Sequence, residues 1–150
     1  MKLTEYIDKQ RRDDFAKKDD DKRNLITENM AKEEFRKNFT YSVLNIIGNQ
    51  LDQLSHQIGG FSAKETKREM TEFPYVVSYT IEIDINHQKA QYFLDITGNF
   101  HTYHEGVTLK FESAGYARAL ETENISFKDL AKFDVEEYLT KSMMEFKDND

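Results

Sequence analysis

The stretch from Tyr75 to Ile85, YVVSYTIEIDI, places Tyr75, Val77, Tyr79, Ile81, Ile83 and Ile85 on one face and Val76, Ser78, Thr80, Glu82 and Asp84 on the other. Alternation with period two over this length predicts a half-buried antiparallel strand. Asn86-His87-Gln88-Lys89 reads as a hairpin connection, and Ala90, Tyr92, Leu94 and Ile96 then continue the inward face. After Gly98-Asn99 the segment FHTYHE reads as a third strand, and after Gly106 VTLKFE reads as a fourth with Val107, Leu109 and Phe111 inward. FSAKETKREM, residues 61–70, is polar on both faces and stays open between edge strand and loop. Residues 113–124 stay open between a short strand and a helical turn.

Elsewhere the period changes. Phe35, Phe39, Val43, Ile46, Ile47, Leu51, Leu54 and Ile58 step by three and four residues, which predicts a core helix. Asn24 or Thr27 is expected to cap its start, Gly48 to mark a bend, and Gly59-Gly60 to stop it. A second helical face, Phe127, Leu130, Ala131, Val135, Tyr138, Leu139, Met143 and Phe146, follows Ser126 with Asp129 and Asp134 with Glu137, two capping pairs. The expected fold is α+β: an antiparallel meander of about four strands, with a long N-terminal helix or helices and a C-terminal helix packed on one face.

Ahead of the core helix the pattern is charged. No Gly or Pro occurs before Gly48, so helix is predicted there too, and thirteen of the sixteen residues from Asp8 to Arg23 carry charge. Glu5 with Lys9, Asp8 with Arg12, Asp13 with Lys17, Asp14 with Lys18 and Asp19 with Arg23 are acid-to-base pairs four apart, a spacing that supports an exposed helix. Its apolar side is thin: Leu3, Ile7 and Phe15, with Tyr6 flanking. A helix of that kind is marginal alone and calls for a neighbour or a partner chain. Residues 1–150 are therefore read as a single α+β domain in which 1–24 form a charged, mostly helical extension.

Composition narrows the function classes. Eleven Phe and eight Tyr supply a core that the 38% apolar content alone would leave thin. The absence of Cys excludes disulfides and thiolate chemistry and fits a cytoplasmic setting, and neither a membrane span nor a secretory signal is expected. A formal charge of −7 argues against nucleic acid as partner. The acidity gathers late, with ten acidic and five basic residues from 112 to 150.

His101 and His104, with Glu105 beside them, draw attention as metal ligands. On a strand they would point to opposite faces with Cα atoms about 10 Å apart, so no shared metal is expected. The Asp19-Asp20-Asp21 run lacks the Gly and Glu of a calcium loop and reads as solvated charge. Asp84 with Lys89 would need a Glu-x-Lys on an adjoining strand to suggest a nuclease centre, and the one neat instance, Glu65-Thr66-Lys67, lies in the segment left open. Glu82 and Asp84 share a strand face at about 7 Å, and exposed strand carboxylates are the expected reading. Phosphate-loop and nucleophile-elbow patterns are missing. No catalytic residue, metal or cofactor is expected.

Tyr75, Tyr79 and Tyr92 fall on the core face. They either line a ligand pocket between the sheet and the 35–58 helix, or sit at the core rim with their hydroxyls in water. The leading expectation is a small acidic protein-interaction module of chaperone, immunity or accessory-subunit type. It would bind a protein partner or self-associate through the N-terminal helix, with a homodimer as a side expectation. The alternative is a small-molecule binder or enzyme using that tyrosine-lined pocket.

Overall fold

Phe39, Val43, Ile47 and Leu51 lie four residues apart and are all essentially inaccessible, at 0, 0, 1 and 1% exposure. In a regular α-helix each step of four overshoots a turn by about 40°, so the last of these side chains would swing well off the buried face. The computed structural model, which describes residues 2–148, shows how the chain holds them in line. Helix α1 (Leu3–Phe39) gives way to a π-helical segment (Thr40–Ile47), whose wider turns reverse the drift, before α2 (Gly48–Gln57) resumes the tighter winding. Contacts divide the chain into two parts after Arg36.

In the first part, the helix passes through Asn24 and Thr27 without a break, so neither caps a start. Thr27 Oγ1 instead donates back to the carbonyl of Arg23 at 3.0 Å. Of the expected charge pairs, Arg12 Nε reaches the main-chain oxygen of Asp8 at 3.4 Å rather than its carboxylate. Glu28 and Lys32, also four apart, close an ion pair at 3.2 Å. The side chains of Asp19 and Asp20, and with them the triple-aspartate run, lie outside the described residues.

In the second part, α2 ends at Gln57, where Ile58 turns extended, so the left-handed glycine stop expected at Gly59-Gly60 does not form at the helix end. Gly60 instead takes φ +81° in the turn closed by the Phe61 amide on the Ile58 carbonyl at 3.3 Å, and a Cβ there would meet Asp84 at 3.1 Å. The sheet follows: β1 (Phe61–Glu69), β2 (Tyr75–Ile85), β3 (Gln88–Gly98), β4 (Gly106–Ser113) and β5 (Ala119–Glu121) in that spatial order, with β6 (Ile125–Ser126) pairing β4. Where about four strands were expected, five run in antiparallel meander order and β6 adds to β4. The open segments 61–70 and 113–124 supply two of them, and the expected third strand at FHTYHE is absent. The β2–β3 connection is shorter than the sequence suggested. Asn86 and His87 at φ 53° and 68° form a two-residue turn whose twist matches that of the strands, so Gln88 and Lys89 belong to β3.

Val77, Ile81, Leu94, Ile96, Val107, Leu109 and Phe111 form the buried face, and the pattern holds until the strand ends, where Ile85 is 59% exposed. Ile58, expected on the core helix, is likewise out. Over the buried face lie α2, the short α3 (Phe127–Leu130) and α4 (Val135–Asp148). Both capping pairs form: Ser126 Oγ accepts from the Asp129 amide and Asp134 Oδ1 from the Glu137 amide, each at 3.1 Å. Gln50 ties α2 to the turn before α4. Its Nε2 donates to the Phe133 carbonyl at 2.7 Å while its Oε1 accepts from the Val135 amide at 2.9 Å, satisfying main-chain groups that a helix start leaves open. At Gly106 the β4 backbone passes so close to β6 that a Cβ would fall 1.8 Å from the Ile125 carbonyl oxygen.

Candidate functional site

The three tyrosines occupy three different environments. Tyr75, 6% exposed, stacks on Phe73 with ring centres 4.4 Å apart and meets Phe39 edge-on at 5.5 Å. Tyr79, 7% exposed, points its hydroxyl at the helix backbone, where a Cβ on Gly48 would lie 3.2 Å from it. Gly48 thus allows a close approach and keeps helical dihedrals. Burial pushes the Tyr79 hydroxyl up to about 12, Glu65 adding to the shift and Arg68 opposing it.

Tyr92 pairs with Ile81, six residues along β2 from Tyr75, which separates the two tyrosines by roughly 20 Å. It stacks on Phe111 at 5.2 Å, and partial burial raises its pKa. Its surroundings form a groove of about 330 Å³ floored by Ile83, Met143 and Phe146, with Lys147 at the rim. That groove lies toward α4, and Tyr75 and Tyr79 do not line it. The face assignment of the tyrosines was correct, while the shared pocket requires a proximity that the strand spacing denies to Tyr75 and Tyr92.

The histidines lie on a loop, not a strand, so the opposite-face geometry does not apply to them. Asn99 builds the loop: its side-chain Oδ1 accepts from the His101 amide at 3.1 Å, and its carbonyl accepts from the amides of Thr102 and Tyr103 at 3.1 and 3.0 Å. Local hydrogen bonding of this kind competes directly with a strand ladder. The loop buries Phe100, and both imidazoles flank that ring, His104 at 4.4 Å and His101 at 5.9 Å between centres. Phe73 meets the His101 ring edge-on at 5.5 Å. Both histidines are exposed. Among the described residues no three His, Asp or Glu side chains converge as a metal site would require.

Asp84 and Lys89 are direct cross-strand neighbours, and β1 does adjoin β2. Glu65, however, pairs with Tyr79 on the core face, five residues and roughly 17 Å along the strand from Asp84, whose side chain is on the other face. The pieces of the acid-and-lysine centre are present but not assembled. Glu82 receives a hydrogen bond from Gln91 Nε2 at 3.4 Å.

A fourth tyrosine, Tyr138, lies on the apolar face expected for the final helix. Burial pushes the Tyr138 hydroxyl up to about 12, with the neighbouring Ser142 hydroxyl opposing the shift. No helix among the described residues is long and apolar enough to cross a membrane. No protein-family model, curated protein or solved structure matches this chain.

Proposed function

We propose that the chain is a protein-interaction module of the cytoplasm that engages another protein through α1. One observation carries this reading: a helix of 37 residues leaves Leu3, Phe15 and Met30 exposed at 72, 76 and 68%. Fully burying side chains of this size contributes about 1.5 to 3 kcal/mol each. A charged helix with few apolar positions gains little from its own sequence, so a partner surface that covers them would stabilise the helix as it binds. The absence of Cys supports a reducing compartment.

The test is cross-linking in a native lysate with the full chain and with Phe15→Asp. Recovery of one protein cross-linked to α1 by the wild type, lost in the variant at unchanged melting temperature, is the expected result. Identical cross-links from both chains would remove α1 from the reading. A second reading, a small-molecule binder, is favoured by the groove at Tyr92, whose apolar floor and single rim cation suit an apolar ligand with an anionic end.

A further inference from the structure

The free edge of β1 carries a charge pattern that matches its own reverse. β1 is the terminal strand of the sheet, and an open edge offers main-chain N–H and C=O groups to any extended chain. Proteins often blunt such an edge with charged side chains, especially Lys. Here the exposed run Lys64, Glu65, Thr66, Lys67, Arg68, Glu69 mixes both signs. Laid antiparallel against a second copy, with the centre between Thr66 and Lys67, Lys64 opposes Glu69, Glu65 opposes Arg68, and Thr66 opposes Lys67. Symmetry repeats each pair. Shifting the register by one residue opposes Lys64 to Arg68 or Glu65 to Glu69, and shifting it by two opposes Lys64 to Lys67 or Lys67 to Arg68. Among these five registers the central one alone avoids every like-charge contact.

In a regular strand that register would fail, because residues five apart point to opposite faces and could not meet across a two-fold axis. β1 is not regular: a bulge falls between Glu65 and Lys67. It leaves Lys64 and Glu69 opposite Thr80 and Val76 on the open face, and Glu65 and Arg68 opposite Tyr79 and Val77 on the core face. Each proposed pair therefore shares a face. The main chain agrees. The Asp84 amide donates to the Gly60 carbonyl at 2.9 Å, and alternation from that pair turns the N–H and C=O groups of Glu65 away from β2. Across the bulge the same holds for Arg68, the residue Glu65 would meet. Within one chain Arg68 already holds Glu65 at 2.8 Å, so pairing two copies would join two such couples into a four-charge cluster.

We propose that β1 is the edge at which two copies of this chain join, antiparallel, into one continuous sheet across a two-fold axis. This is independent of α1 and of its partner. Sedimentation equilibrium on the full chain tests it. The wild type is expected to dimerise, and Lys64→Glu, which sets Glu against Glu69 twice by symmetry, to raise the dissociation constant about tenfold. Adding Glu69→Lys to that chain restores the opposition of unlike charges and is expected to restore the dimer. Lys64 and Glu69 are exposed, so the melting temperature of the dissociated chain serves as the folding control. A wild type that stays monomeric at the highest attainable concentration overturns the proposal. So does a dimer indifferent to Lys64→Glu, or one that the second reversal fails to rescue. A dimer lost instead with Phe15→Asp would move self-association to α1 and also overturn it.

Discussion

β1 and β2 lie side by side, at nine and eleven residues, yet they are strands for different reasons. β2 is specified by its own side chains: every second residue from Tyr75 to Ile81 is buried, and its pairing on both sides hides the main chain. β1 buries Phe61 and then presents exposed residues from Lys64 to Glu69, so little of its own burial holds it in place. A central strand can be recognised from its residues alone, whereas an edge strand owes its conformation to the ladder its neighbour offers.

That contrast can be broken by substitution. Ile81→Asp, which puts an unpaired carboxylate at a position of 0% exposure, is expected to cost at least about 4 kcal/mol and abolish cooperative unfolding in urea. Lys67→Thr in β1 is expected to stay within about 0.5 kcal/mol in the same titration, measured at a concentration where the chain is monomeric. Comparable losses at the two positions would mean that the edge is as firmly specified as the centre. Of intermediate size, Gln50→Ala removes two hydrogen bonds and strands the Val135 amide, an expected loss of about 2 kcal/mol.

A further effect appears only at alkaline pH. The folded-state pKa of Tyr79 is raised from 10 to about 12, so the folded chain retains a proton that the unfolded chain releases between those values. Stability on this account is intact below pH 10 and falls as pH rises toward 12. Tyr138 behaves in the same sense, so Tyr79→Phe is expected to flatten the alkaline decline in part and not wholly. A decline of unchanged steepness in that variant would show that Tyr79 is not a source of it.

The parts of the fold legible in the sequence are those where one residue type has one job. Ser126 and Asp134 cap, and the alternation of β2 and β4 names the core face. The loop at residues 99–105 misled because Phe100 and His101 alternate as a strand would, while the decisive group is the Asn99 side chain turning back on the chain. The π-helical segment was written in the four-residue spacing from Phe39 to Leu51, although that spacing reads first as an ordinary helix face. For the candidate site, the tyrosines were placed on the correct face, but facing alone does not give separation along a strand. The groove at Tyr92 depends on where α4 lands, which no local pattern encodes.

The Gln50 clamp also has a bearing on the order of events as the chain folds. The β2–β3 hairpin closes around a two-residue turn, whereas the two bonds of Gln50 join residues 83 and 85 positions apart. Contacts that close so long a loop are expected after the hairpin has formed, because the entropy of closure is offset only once other structure has drawn the ends together. Gln50 then belongs to the descent from the transition state, and its loss should leave the refolding rate nearly unchanged while accelerating unfolding. The hairpin would govern how fast the fold is reached, and this one amide how long it persists.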